Sequence, residues 1–128
     1  MHSNAQIARN AYDAFLSGDM GTMGKLMSDD MVWHTAGNNP LSGTYSGKEE
    51  VFGFFAKIAE LADSPLQMDI HDVLANDDHA VALLTVTASK GGNSLEARAV
   101  HIMHIADGRL TEFWNFQEDQ ATVDEFWS

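Results

Sequence analysis

The sequence predicts an α+β fold: a cone-shaped, curved, mixed or antiparallel sheet wrapped around three helices from the N-terminal half. Three observations carry this. Apolar residues recur at three- and four-residue steps up to Leu61, and after Pro65 the period shortens toward two. The later segments are joined only by Asn76-Asp77-Asp78, Lys90-Gly91-Gly92-Asn93 and Asp107-Gly108, links so short that the strands they join must be antiparallel neighbours. With 128 residues, the chain can build one core and is too short for two, so residues 1–128 read as one domain. A curled sheet with helices across its open side encloses a cavity at the wide end, which is where such folds take ligands.

The elements follow in order. From Asn4 to Ser17, Ile7, Ala8, Ala11, Tyr12 and Phe15 share one helical face, and Gly18 ends the helix. Asp19 opens a shorter helix in which Met20, Met23, Leu26 and Met27 keep the spacing, and Asp29-Asp30 breaks it. Met31 to Thr35 suits a strand, and Ala36 to Gly47 concentrates the Gly, Asn, Pro and Ser of a long loop. Ser46 and Glu49 have capping-box spacing ahead of the main core helix, with Val51, Phe54, Phe55, Ile58 and Leu61 on one stripe. Four strands are predicted at Leu66–Leu74, Ala80–Ala88, Leu95–Ile105 and Leu110–Gln117, with a type I′ turn at Asp107-Gly108. Asp119 or Thr122 can cap a final helical turn that docks Phe126 and Trp127.

Composition excludes several classes of function. There is no Cys, hence no disulfide, thiolate nucleophile, zinc ribbon or iron–sulfur cluster. Seven Lys and Arg against 19 Asp and Glu give a net charge of −12, which repels phosphate backbones and anionic headgroups, so neither nucleic acid nor a membrane surface is expected as a partner. No apolar run approaches the ~18 to 20 residues of a membrane span, and the N-terminus lacks the basic start and apolar core of a signal peptide. A cytoplasmic location is expected. On the third predicted β-segment, Ala97, Ala99, His101, Met103 and Ile105 share one face, and Arg98, Val100, Ile102 and His104 the other. His101 and His104 thus point apart and form no two-histidine metal site; no metal is expected. On the last strand, Phe113, Asn115 and Gln117 alternate with Leu110, Glu112, Trp114 and Phe116.

Gly18-Asp19 between the first helices, Asp29-Asp30 before Val32-Trp33-His34, the Gly37–Gly43 loop with Tyr45-Ser46-Gly47, then Val100-His101 and Asp107 to Trp114 stand in a telling order. In that order and spacing the chain resembles the nuclear transport factor 2-like superfamily, and more narrowly its SnoaL-like and ketosteroid-isomerase-like branch, over nearly its whole length. The resemblance implies a cone-shaped α+β barrel, a homodimer packed through the outer sheet face, and a cofactor-free pocket used for proton transfer. Isomerases, polyketide cyclases, epoxide hydrolases, dehydratases and plain binding modules share this fold, so function must be read from the pocket.

In polyketide cyclases of the family, a histidine matching His101 faces the cavity and assists an aspartate on the next strand. Here that position is Asn115, whose amide cannot take a proton at neutral pH but can donate to a developing oxyanion. Alignment with the steroid-isomerase segment needs one gap and brings either His34 or Thr35 to the general-base position. An imidazole is a suitable base for a proton alpha to a carbonyl. The same alignment puts His101 at the second carboxyl and Phe55 at a supporting tyrosine, with Tyr12 one residue from the key tyrosine. The resemblance also turns the odd-numbered set of the last strand inward.

The implied site has His34, His101 and Asn115 as catalytic residues and Tyr12, Trp33, Phe55, Met103, Phe113 and Gln117 as ligand contacts, with no cofactor. Trp114 and Phe116, turned outward, would meet a second copy. Two functions compete. One is a small enzyme of isomerase or cyclase type acting on an apolar, carbonyl-bearing molecule, with His34 or His101 moving a proton. The other is a non-catalytic module that binds an apolar ligand or serves as a dimerisation unit.

Overall fold

A computed structural model describes residues 2–128. Its elements are α1 (Ser3–Ser17), α2 (Met20–Leu26), β1 (Met27–Thr35), β2 (Gly43–Ser46), α3 (Lys48–Leu61), β3 (Gln67–Ala75), β4 (His79–Lys90), β5 (Asn93–Ala106), β6 (Arg109–Gln117) and α4 (Gln120–Trp127). The strands form one curved, unclosed sheet in the order β2-β1-β6-β5-β4-β3. Neighbours are antiparallel except β1 and β6, which run parallel. The parallel pair is where the N-terminal half is sewn to the meander, because strands so far apart in sequence are not tied to a hairpin geometry.

Local chemistry explains most boundaries. Gly18 ends α1 in the left-handed region at φ 74°, where it carries no Cβ penalty. Asp19 and Asp119 cap α2 and α4 by accepting from the backbone N–H of Thr22 and Thr122. Asp107 and Gly108 both have positive φ, 53° and 77°, as the two-residue turn between β5 and β6 demands.

Several expectations are corrected. β2 lies inside the segment expected as loop; its four residues are mostly exposed and show no alternation, so only their pairing with β1 makes them a strand. β1 begins at Met27, not Met31. Met27 has the spacing of the preceding helix, but it is fully buried and pairs with Leu110. The capping box expected at Ser46 and Glu49 is absent. Ser46 is held in β2, so the helix starts a residue later on Gly47 with no side-chain cap, and it is Glu50 that accepts from the Ser46 N–H at 2.9 Å.

The core lies between the concave sheet face and the helices. Met27, Met31, Met103, Leu110 and Val51 are its largest fully buried side chains, and methionine suits the irregular gaps of such a wedge. Leu110 was expected outside with Glu112 and Trp114. A bulge changes this: Ile105 pairs with Leu110 and His104 with Glu112, so Thr111 is extra and parity reverses, turning Leu110 inward. No helix among the described residues is long and apolar enough to cross a membrane.

Candidate functional site

The concave face, α1, α3 and α4 enclose a cavity of about 100 Å³. Its apolar wall is anchored by Trp33, stacked on Phe113 at 3.7 Å between ring centroids and met edge-on by Phe55 at 5.1 Å. No Asp, Glu, Lys or Arg lines it among the described residues. Any ion placed there would lose its hydration without gaining a countercharge.

One titratable pair stands in this wall. Tyr12 from α1 and His101 from β5 are both buried, with Tyr12 Oη 2.7 Å from His101 Nδ1. Burial raises the phenol pKa, so its proton stays on oxygen. The same burial pushes the imidazole down to about 3, so His101 is neutral at physiological pH. This is the hydroxyl's only hydrogen bond among the described residues, and a buried phenol proton without an acceptor costs roughly 1–3 kcal/mol. Tyr12 therefore donates to Nδ1, and the single imidazole proton sits on Nε2. His101 thus offers the cavity an N–H donor, not a base.

Register builds a polar row beside it. Thr35, Asn115 and His101 are successive Cα partners across β1, β6 and β5, so their side chains stand in one line on the concave face. Thr35 Oγ1, Asn115 Oδ1 and Gln117 Oε1 are buried with no hydrogen-bond partner among the described residues, as is Trp33 Nε1. Buried polar groups are nearly always satisfied, and all four of these atoms belong to residues that line the cavity.

Eight of the nine residues expected at the site line the cavity: His101, Asn115, Tyr12, Trp33, Phe55, Met103, Phe113 and Gln117. His34 does not join them. Trp33 faces inward, so by strand parity its neighbour faces out, and His34 lies on the convex side against Trp114 at 5.2 Å. There its Nε2 meets Glu112 Oε2 at 2.6 Å and its Nδ1 meets Thr44 Oγ1 at 3.1 Å. Of the two residues that the gapped alignment left open, Thr35 is the one in the cavity.

The sequence reading missed the closure of the cavity by α4 and the loop after β1. Asn39, Leu41, Gln120, Val123 and Trp127 all contribute to the wall. Asp124 holds these two pieces together, its Oδ1 accepting from Asn38 N, Asn39 Nδ2 and Gln120 Nε2 at 2.8–3.0 Å. Those bonds hold its carboxyl below the usual pKa. Gly37 has φ 96°, and a Cβ there would collide with the side chains of Gln120 and Asp124. The bulk of Phe126 and Trp127 was the one sequence signal for this closure.

Comparison with known proteins agrees with the geometry. The chain matches the SnoaL-like domain over residues 8–113 and belongs to that family. The uncharacterized protein Rv0034 of Mycobacterium tuberculosis is 27% identical over 98% of this chain and 97% of its own length. The structure of Bal32a, from a soil-derived mobile gene cassette, is alike at TM-score 0.94 and 29% identity, covering 98% of this chain and 97% of Bal32a. An NTF2-like protein from Burkholderia pseudomallei superposes at TM-score 0.90 and 22% identity, over 100% and 99% of the two chains. The fold is thus NTF2-like, one that SnoaL-like polyketide cyclase and ketosteroid isomerase-like structures share.

Proposed function

We propose that the cavity binds an uncharged, largely apolar small molecule bearing a carbonyl, whose oxygen accepts a hydrogen bond from His101 Nε2–H beside Asn115. The observation that carries this reading is a neutral histidine, held by Tyr12 through Nδ1, in a wall with no charged side chain among the described residues. A preorganised N–H in a water-poor site polarises a carbonyl without reorganising. TerC, a protein of this fold at 19% identity and TM-score 0.87, has been co-crystallised with polyporic acid, which favours a small-molecule ligand here too.

Turnover of such a ligand, by isomerisation or cyclisation without a cofactor, is the second reading, favoured by that same polarisation because it acidifies the carbon next to the carbonyl. His101 does not take the proton on this reading, since its pKa of about 3 makes it a poor base at neutral pH. The proton would pass to hydroxide or a buffer base from solution, which leaves as water or the protonated buffer, while His101 and Asn115 stabilise the enolate oxygen. Acetophenone tests both readings. Bound to the wild type, its carbonyl stretch is expected to shift to lower frequency in infrared difference spectra. His101→Phe should abolish the shift and weaken binding about tenfold; an unshifted carbonyl in the wild type would sink the proposal. Exchange of its methyl protons in D2O, followed by NMR, separates the readings: exchange above the buffer rate that His101→Phe removes marks an enzyme, and its absence a binder.

The same family reading supplies a partner. Val81, Leu83, Val100, Ile102 and Trp114 on the convex face are only partly covered, and Phe116 is 47% exposed. We propose that a second copy covers this row. Sedimentation equilibrium should give a dimer for the wild type and a monomer for Phe116→Glu; a monomeric wild type at tens of micromolar refutes the assignment.

A further inference from the structure

The concave face carries two rows of opposite character. Thr35, Asn115 and His101 make the polar one. Ala97 lies on the same face of β5 as His101, four residues nearer the start of the strand, a displacement of about 13 Å. Its Cα partner on β4 is Val86, whose partner on β3 is Met68, so these three form a second row, apolar throughout. All three line the cavity, as do Leu66 and Leu95. Tyr12, His101, Trp33 and Phe113 are buried, whereas Leu66, Met68, Val86 and Ala97 are half-buried, so water reaches the cavity at this row. β6 stops at Gln117, opposite Ala99, and does not extend to Ala97, which itself projects only a methyl group.

Resting on the binding reading above, we infer that the ligand is an elongated aryl alkyl ketone whose unbranched chain runs out from His101 along β5 over Ala97, beside Val86 and Met68. The enclosed volume of about 100 Å³ takes little more than one small ring, which is the share of the aryl ketone head. The chain then covers apolar side chains that water now wets, which is its driving force. Met68, Val86, Ala97, Leu66 and Leu95 carry neither a charge nor a hydrogen-bond donor. Glu96 and Arg98, which flank Ala97 in sequence, fall on the opposite face. A polar atom on the chain at this row would therefore lose water and gain no partner.

The test uses acetophenone, hexanophenone and octanophenone, with the full chain titrated into each by calorimetry at pH 7. Affinity is expected to rise about twofold per added methylene, less than full burial gives, because the chain keeps one side in water. Ala97→Phe fills the path of the chain, so it should bring the octanophenone-to-acetophenone ratio toward one and leave acetophenone itself within about twofold of the wild type. Ala97→Leu is a smaller step in the same direction, should the first variant fold poorly. His101→Phe should weaken all three ketones about tenfold and preserve their ratio. Equal affinities in the wild type overturn the inference; so does a ratio that survives in a folded Ala97 variant, or a loss there that is the same for all three ketones. If no ketone binds, or His101→Phe changes none of them, the carbonyl-binding reading falls, and the inference with it. If acetophenone is held through His101 and the chain adds nothing, only the inference falls.

Discussion

Lowering the pH from 7 to 4 is expected to cost the folded state about 3 kcal/mol through His101 alone. In the folded protein, burial holds the imidazole at about 3 against an ordinary value of 6.5. Between those values the unfolded chain binds a proton there and the folded chain does not. Protons therefore favour unfolding: the stability is fully present above about pH 6.5 and drains away as the pH falls toward 3. Asp19, Asp119 and Asp124, all held low by hydrogen bonds, also lose their contribution on acidification, but only from about pH 4 downward, below the ordinary carboxylate value. The two windows are separable. Urea midpoints measured every half unit from pH 7 to pH 4 should fall steadily for the wild type and stay nearly flat for His101→Gln, which cannot titrate. Parallel curves for the two would show that His101 is protonated in the folded state.

Truncating Phe113 to alanine should destabilise the protein by about 3–5 kcal/mol, a large share of the ~5–15 kcal/mol that holds a domain of this size. Phe113 is 2% exposed, stacks on Trp33 and meets the His101 ring edge-on at 4.7 Å. It is the Cα partner of both Trp33 and Met103, so its loss opens a gap at the point where β1 joins the meander. Surrounding rings cannot collapse into that gap, because the strands carrying them are fixed by their ladders. Phe113→Leu keeps most of the volume and should cost under about 1.5 kcal/mol. Chemical denaturation of both variants tests this, and a Phe113→Ala cost near that of Phe113→Leu would mean the cavity wall is soft.

Much of the fold was legible because the relevant signals are local. The period-two runs placed β3 to β6 within a few residues of their bounds, since each hairpin link is too short for any other pairing. Parity separated His101 from His104 for the same reason. What failed was non-local. β2 has no hydrophobic pattern and exists because β1 offers it a ladder. Leu110 was misplaced by a bulge, which leaves no mark on the hydrophobic sequence. His34 was a different kind of miss: Trp33 and His34 were both assigned to the cavity, although adjacent residues of one strand face opposite ways.

By itself, then, the sequence determined the order of helices and strands, the antiparallel meander, the acidic surface and the alternation that puts Phe113, Asn115 and Gln117 on one face. These follow from chain periodicity and turn length, which short-range sterics impose. Only the tertiary structure decided that Thr35, Asn115 and His101 form one row, because that depends on the register of a parallel pair formed by strands more than seventy positions apart. It alone decided the chemistry of His101 as well. A histidine is acid, base or donor according to its burial and to what holds its other nitrogen, and here both come from the enclosing fold and a tyrosine 89 positions away.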